Sequence, residues 1–248
     1  MADFPVLTPS STILFYDTET EGLPLWDQPS EAPGQPKILQ LAALLTDWQG
    51  NKLSSMDALL RWDTLNIHED AFKAHGISAE KSRDFGIDPD QAISMFMAMY
   101  DRSTLRVGHN ESFDARLIRI HLKQCHDHRW DEADLEEWKI GSSACTQRLT
   151  LPILQLPPTE RMKQTRFKNS FKSPNLGEAY RWATGKEIKG AHNAMVDVLA
   201  CKAVFFAVQA HMAARAPDVP EDAITAPSAP ENAPAADVAA APARDFGW

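Results

Sequence analysis

The sequence predicts an α/β fold in which helices flank a mixed central sheet. Three strand-like stretches come early in the chain, at residues 11–17, 38–47 and 53–62. Helical and strand-like segments alternate after them, and this order is typical of a sheet covered by helices. The chain has 248 residues, 44% of them hydrophobic, so it is long enough for one such domain with a sizeable core.

Each predicted element has its own signal. The early strands are runs of apolar or alternating residues, and a loop at 24–36 with four prolines and one glycine separates the first two. A short helix at 68–75 ends at Gly76, which is a common helix terminator. The sequence then predicts a helix at 89–100, a short strand at 105–107 and an amphipathic helix at 112–124. Further helices are predicted at 175–184, ended by Gly185, and at 193–211, which is long and Ala-rich.

Composition divides the chain into a folded domain at 8–213 and a tail at 214–248. From about Ala216 the residues are mainly Ala, Pro and acidic residues, which bury too little apolar surface to fold, so we expect a disordered tail. The net charge is −9, and residues 216–248 contribute six acidic side chains against one arginine. This balance argues against a protein that coats nucleic acid nonspecifically, but it allows a local basic groove.

The sequence also argues against a membrane protein or a secreted protein. No stretch has the uninterrupted apolar length of a membrane span, and the N-terminus lacks the features of a signal peptide. The three widely spaced cysteines, Cys125, Cys145 and Cys201, suit free thiols in a reducing compartment. We therefore expect a cytoplasmic protein without a membrane partner.

Four acidic residues stand at the ends of predicted elements. Asp17 and Glu19 follow the first apolar run, and residues two apart on a strand point to the same face, where like charges repel. Asp114 and Asp197 lie in the first turns of two predicted helices. Taken singly, each is explained by a solvated strand end or by the helix dipole.

Taken together, these carboxylates predict a metal site. Strand ends and helix N-termini gather at one edge of an open α/β sheet, where ligands bind. Four carboxylates that converge there need cations, and oxygen ligands favour Mg²⁺ or Mn²⁺ over zinc.

His192 precedes Asp197 by five residues, and we place it in the loop before the last helix. Beside a metal cluster, its imidazole is suited to take a proton from water. Without the carboxylates, a capping or surface histidine would be the better interpretation.

Four motifs, in order, resemble those of the DEDDh exonucleases, a family that includes proofreading subunits of bacterial polymerases and ribonuclease T. They are DTETEGL at 17–23, HGI at 75–77, GHNxxFD at 108–114 and HNAxxD at 192–197. The resemblance spans about residues 11–210, and the histidine of the last motif assigns the histidine subclass. It implies a ribonuclease-H-like fold and metal-dependent 3′→5′ hydrolysis of nucleic acid.

The resemblance also assigns roles to individual residues. Two metal ions, Mg²⁺ with Mn²⁺ as a substitute, would be held by Asp17, Glu19, Asp114 and Asp197, with Asp17 between them. His192 would be the general base. Contacts with the terminal nucleotide would come from Thr18, Thr20, Leu23, His75, Asn110 and Phe113, with Leu23 wedged against a base. Turn packing for Leu23 and core filling for Phe113 remain equally good interpretations.

The segment 160–172 is the one basic stretch with aromatic residues. Its cations would follow phosphates and its two phenylalanines could stack on bases of a single strand. A solvated loop with two core-anchoring phenylalanines is the alternative. Its charged and aromatic residues are Arg161, Lys163, Arg166, Phe167, Lys168, Phe171 and Lys172.

These observations favour a metal-dependent 3′→5′ exonuclease that acts on single-stranded or frayed DNA in proofreading or repair. Within the same class, the alternative is an exoribonuclease that trims RNA 3′ ends. From a different class, the alternative is a catalytically idle nucleic-acid-binding subunit. Phe246 and Trp248, at the end of an otherwise polar tail, indicate a docking peptide for a protein partner.

Overall fold

A mixed five-stranded sheet organises the part of the chain that the computed structural model describes, residues 4–124 and 130–215. The strands are β1 (Thr12–Thr20), β2 (Ile38–Asp47), β3 (Lys52–Leu59), β4 (Leu105–Gly108) and β5 (Ser143–Cys145). Their spatial order is β3-β2-β1-β4-β5. The first three strands pair antiparallel, whereas β4 is parallel to both β1 and β5. The predicted fold class is therefore confirmed.

Helices cover both faces of this sheet. They are α1 (Glu69–His75), α2 (Ala79–Phe85), α3 (Pro89–Tyr100), α4 (Glu111–Gln124), α5 (Glu132–Ile140), α6 (Thr146–Leu154), α7 (Glu160–Lys163), α8 (Leu176–Thr184) and α9 (Ala194–Ala213). Gly76 and Gly185 end α1 and α8 in the left-handed conformation, as the sequence predicts.

The central strand β1 is buried on both faces because its apolar residues alternate between two cores. Leu14 and Tyr16 belong to the core under α3, α4 and α5. Ile13 and Phe15 belong to the core under α8 and α9. Since side chains alternate along a strand, the residues that continue the α9 face are numbers 17 and 19.

Two element boundaries differ by three residues from the sequence prediction, and the others by at most two. β1 continues past its apolar run to Thr20, because its ladder with β2 extends to the pair Thr20 and Ile38, with a bulge after Glu19. β3 ends at Leu59, earlier than predicted.

Several elements were not predicted, namely α2, α5, β5, α6 and α7. They are short, and short segments show little periodicity. Helix α5 is also strongly acidic, and only Leu135 and Trp138 of its residues are buried. In α6, Pro152 lies inside the helix and masks the helical pattern.

Helix α9 corrects one expectation. It has 20 residues and a mean hydropathy of 1.4, so by length and composition it could cross a membrane. It packs instead against β1, β2 and α8, and its buried residues include Val198, Val204 and Phe205. A core helix covered by other elements has the same composition as a membrane span. The predicted tail falls outside the described residues from position 216 onward and stays a prediction.

Candidate active site

β1 and α9 bring three of the predicted site residues together. Asp17 and Glu19 follow Phe15 on the face of β1 that α9 covers, and Asp197 lies in the first turn of α9. One ligand atom from each of Glu19, Asp197 and His192 lies within 4.8 Å of the others. The sheet edge at the carboxyl end of β1 is therefore where these groups meet.

The loop before α9 places His192. Its φ of 64° turns the backbone sharply, and its backbone N–H donates to Asp197 Oδ2 at 3.0 Å. Asn193 then begins the helix by accepting a hydrogen bond from Val196 N at 3.3 Å. The imidazole is exposed at the cleft, in the loop position that the sequence predicts.

Asp114 reaches the same edge from the opposite layer. Helix α4 begins just after β4, the parallel neighbour of β1, so its first turn lies at the carboxyl end of the sheet. Thr18 fixes the carboxylate, since its backbone N–H and its Oγ1 donate to Asp114 Oδ1 at 3.0 and 2.7 Å. The two layers of the protein thus meet at the end of β1.

The pKa values show that these carboxylates are crowded. Burial raises the pKa of Asp17 well above its usual value, and the charges of Asp114, Asp197 and Glu19 raise it further. Burial and the neighbouring carboxylates raise the pKa of Glu19 to about 8. Burial raises the pKa of Asp114 to about 7, against the hydrogen bonds from Thr18, and it also raises that of Asp197. The cluster is electrostatically unfavourable on its own.

The donor set fits a divalent cation. Asp197 Oδ1 is buried and has no hydrogen-bond partner, although Oδ2 of the same carboxylate accepts from His192. A cation near Glu19 and Asp197 would satisfy this oxygen and cancel the repulsion between the carboxylates. Carboxylate oxygens are the ligands that hard divalent ions prefer.

An open cleft of about 670 Å³ adjoins the carboxylates. Five of the six predicted substrate residues line it, together with Glu19, His192 and residues of α1. Asn110 is the exception. It is exposed at a φ of 65° just before α4, where its carbonyl accepts from Phe113 N at 2.8 Å. The lining comprises Thr18, Glu19, Thr20, Gly22, Leu23, His68, Asp70, Ala71, Ala74, His75, Phe113 and His192.

The structure decides between some of the open interpretations. Leu23 is 76% exposed, so it does not pack into the turn. Phe113 lines the cleft while packing against the core, so both interpretations apply to it. Phe167 and Phe171 are each 48% exposed, which is more than core-anchoring rings would be. Their segment is closed by a hydrogen bond of 2.9 Å from Lys172 N to Leu156 O.

His75 has a defined tautomer. Its Nδ1 accepts from Ile77 N at 2.9 Å, so the proton lies on Nε2, which donates to Thr20 O at 3.1 Å. Burial lowers its pKa, which favours the neutral ring. His75 therefore holds α1 against the end of β1 and forms a wall of the cleft.

Sequence reasoning missed a buried charged network beside the site. Arg106 Nε donates to Glu111 Oε1 at 2.7 Å, and Tyr16 Oη donates to the same oxygen at 2.9 Å. The guanidinium also stacks on the ring of Trp138 and donates to its carbonyl. A signal was available, because an arginine inside a short apolar strand needs a buried partner.

His109 was missed as well. Its Nε2–H donates to Pro174 O at 3.1 Å, and its Nδ1 contacts Thr146 Oγ1 at 2.9 Å. Burial lowers its pKa to about 4, so the ring is neutral. His109 thereby joins the start of α4 to the start of α6 and to the segment before α8.

Comparison with known proteins agrees with this geometry. A family model described as exonuclease, of the RNase T type, matches residues 14–205. The chain is similar to Escherichia coli exonuclease I in complex with a dT13 oligonucleotide, with 23% identity and a TM-score of 0.58, covering 78% of this chain and 40% of that chain. The complex with a dA16 oligonucleotide gives 23% identity and a TM-score of 0.59, covering 81% and 41%. A product-bound form gives 22% identity and a TM-score of 0.59, covering 81% and 43%.

These structures share the fold, and this chain spans about two fifths of the length of exonuclease I. No curated protein matches the sequence. The family match covers most of the described residues and contains all four motifs. The chain therefore belongs to the RNase T type of exonucleases, within the DEDDh group of the ribonuclease-H-like superfamily.

Proposed function

We propose that this protein is a metal-dependent 3′→5′ exonuclease that hydrolyses phosphodiester bonds. The observation that carries the proposal is the convergence of four carboxylates and one imidazole on a cleft, in a chain of an exonuclease family. A binding subunit without activity gains nothing from carboxylates whose charges oppose each other. The catalytically idle alternative is therefore disfavoured.

The four carboxylates would hold two divalent ions, Mg²⁺ or Mn²⁺. When bound, such ions mask the charge of the phosphodiester and stabilise the charge that develops in the transition state. The protein's own part is to fix the ligands. Thr18 orients Asp114, and the backbone N–H of His192 orients Asp197.

His192 would take the proton from the attacking water. Its backbone is tied to Asp197, so the ring is held beside the carboxylates while it remains open to the cleft. An imidazole is suited to this task near neutral pH. His75 cannot share the role, because both of its ring nitrogens are engaged in hydrogen bonds to the backbone.

The shape of the cleft supports action at a 3′ end. Leu23 stands exposed on one side, where it can wedge against the terminal base, and Phe113 and His75 form other walls. Thr18 and Thr20 lie next to the carboxylates on β1. We propose that a frayed or single-stranded end enters the cleft.

We propose single-stranded DNA as the substrate, in proofreading or repair. The similar fold of exonuclease I, solved with dT13 and dA16 oligonucleotides, supports this choice. Trimming of RNA 3′ ends is the second candidate, since the matched family model is of the RNase T type. The exposed basic segment 160–172 is a candidate path for the strand.

Two further proposals concern the location of the protein in the cell and its protein partner. We place the protein in the cytoplasm, on the basis of its unpaired cysteines Cys145 and Cys201. We propose that the end of the tail, with Phe246 and Trp248, binds a protein partner.

The first prediction tests the activity. Asp17→Asn should abolish the Mg²⁺-dependent release of nucleotides from a 3′-labelled single strand, because it removes the carboxylate that all the other carboxylates face. Matched DNA and RNA strands, labelled at either end, give polarity and sugar preference in the same assay. Asp84→Asn, a change of the same kind at an exposed residue of α2, should retain full activity. Undiminished hydrolysis by Asp17→Asn would disprove the assignment.

A further inference from the structure

The loop at 24–36 contains neither helix nor strand, but side-chain hydrogen bonds connect its two halves. Gln35, only 5% exposed, organises it from within. Its Oε1 accepts from Leu25 N at 3.0 Å, and its Nε2 donates to Leu25 O at 3.1 Å and to Pro29 O at 2.9 Å. The loop is thus preorganised.

Two arginines of α4 fasten this loop to the helix. Arg116 donates to Ser30 Oγ at 2.9 Å and to Gln28 O at 2.5 Å, and Arg119 Nε donates to Ser30 Oγ at 3.2 Å. Residues three apart on a helix share a face, so Arg116 lies one turn beyond Phe113, which lines the cleft. The loop therefore runs from Leu23 at the cleft to a point beside Phe113.

Trp26 lies on this loop between Leu23, at the cleft, and Ser30, which is bonded to α4. Its side chain is 58% exposed, and Leu25 next to it is also exposed. A large aromatic side chain that a hydrogen-bonded loop exposes to water is typical of a binding surface. Base stacking on such rings is the usual means by which single strands are held without sequence preference.

Two positively charged side chains, Arg116 and Arg119, lie where this loop is attached to α4. Among the described residues, neither Arg116 nor Arg119 has a carboxylate partner, and Arg116 Nε is buried without a hydrogen-bond partner. Burial, together with the neighbouring charge of Arg116, lowers the pKa of Arg119. At a rise of about 1.5 Å per residue, the Cα atoms of Arg116 and Arg119 lie about 3 and 8 Å further along α4 than that of Asp114. Two adjacent cations beside an acidic site are suited to attract a backbone phosphate.

We propose that Trp26, Arg116 and Arg119 form a second nucleic-acid contact, which we call the upstream platform. This inference rests on the proposed function. The terminal nucleotide occupies the cleft at Leu23, the indole of Trp26 stacks on a base further from the 3′ end, and the two arginines face the backbone between them. Stacking and phosphate contacts do not distinguish one base from another. The platform therefore increases the affinity for strands that extend beyond the cleft, whatever their sequence.

The test compares two ligands of different length on the full chain, with Ca²⁺ in place of Mg²⁺. Fluorescence anisotropy is measured with a labelled thymidine dinucleotide and a labelled thymidine dodecamer. Trp26→Ala should weaken dodecamer binding about 5- to 100-fold, the range for the loss of one base stack. Binding of the dinucleotide should not change. Trp26→Phe, which keeps a ring, should retain most of the dodecamer affinity.

Arg119→Gln tests the charge. It should weaken dodecamer binding and reduce the slope of log affinity against log salt concentration by about 0.7, the value for one lost phosphate contact on a single strand. The matched controls are Trp48→Ala, at the β2–β3 turn, and Arg102→Gln, before β4. Both lie at the end of the sheet where β1 begins, away from the cleft, and should behave as wild type.

Unchanged dodecamer affinity in Trp26→Ala would overturn the platform, as would an equal loss for both ligands. If Phe167→Ala alone weakens the dodecamer, the strand follows the segment 160–172 instead and the platform is wrong. The proposed function fails differently, because in that case the wild-type protein with Mg²⁺ does not hydrolyse any 3′ end. Length-dependent binding through Trp26 would stand even then.

Discussion

At the scale of single residues, the site is a set of carboxylates whose ionised forms are disfavoured, first by burial and then by neighbouring charges. Burial is the largest cause of the raised pKa values of Asp17, Glu19 and Asp114. The usual case for a carboxylate in a folded protein is the opposite, a pKa lowered by a cationic partner. Two carboxylates at positions i and i+2 of a strand therefore indicate a functional site only together with the helix residues that pack over that strand.

The residue-scale prediction concerns the metal-free protein. Glu19 has a pKa of about 8 in the folded state against an ordinary value of 4.5. Between these values the folded protein keeps a proton that the unfolded chain has lost, so stability should fall as pH rises through this window. The thermal unfolding midpoint in EDTA should decrease from acidic to mildly basic pH.

Two comparisons sharpen this prediction. Saturating Mg²⁺ should reduce the pH dependence, because the cation stabilises the ionised carboxylates. Glu19→Gln should reduce it in EDTA, because one titrating group is removed, whereas Glu136→Gln on the exposed face of α5 should not. A midpoint in EDTA that rises over the same pH window would contradict the crowded-carboxylate account.

At the scale of elements, the buried network of Arg106 and Glu111 decides where α4 begins. It joins β4 to the first residue of α4, while Tyr16 links both to β1 and Trp138 links them to α5. Asp114 follows Glu111 by one helical turn. An arginine on β4 thus contributes to the position of a carboxylate that it does not contact.

The element-scale prediction is a double-mutant cycle. Arg106→Met should lower the free energy of unfolding by about 3–5 kcal/mol, because it leaves the Glu111 carboxylate buried without its cation. Adding Glu111→Gln, which keeps an acceptor for Tyr16, should recover part of this loss. Urea denaturation monitored by circular dichroism measures the wild type, each single variant and the double variant.

An exposed ion pair serves as the control for this cycle. Lys139 and Glu136 lie 3.2 Å apart on the surface of α5, and Lys139→Met should change stability by less than about 1 kcal/mol. If Arg106→Met costs no more than this control, the network does not anchor α4.

At the scale of the whole molecule, every predicted site residue lies between positions 17 and 197, inside the predicted domain. Residues 216–248, by contrast, have the composition of Ala, Pro and acidic residues from which we predict a tail outside this domain. Deletion of residues 216–248 should therefore leave hydrolysis of short oligonucleotides unchanged. Turnover of the truncated and full-length proteins on one 3′-labelled strand measures this, with circular dichroism to compare their folds. Lost activity in a folded truncated protein would make the tail part of the catalytic unit.

The fold class and the family could be predicted from the sequence, and the reasons lie in particular elements. Burial sets the apolar or amphipathic character of β1, β2, α3 and α9, so these elements were predicted. The short elements between Asp131 and Lys163 were not, because few of their residues are buried and Pro152 interrupts a helix. Asn110 was expected in the cleft on the strength of a motif, and it is not among the residues that line this cleft.

By itself, the sequence determined the fold class, the family and the identity of the five residues that meet at the candidate active site. It could do so because hydrophobic patterns and short motifs consist of residues that are close together in the sequence. Only the tertiary structure decided how they are held. The bond from Thr18 to Asp114 spans 96 residues, and the bond from Arg116 to Ser30 spans 86. Contacts at such separations arise when distant elements pack together, and they leave no periodic trace in the chain.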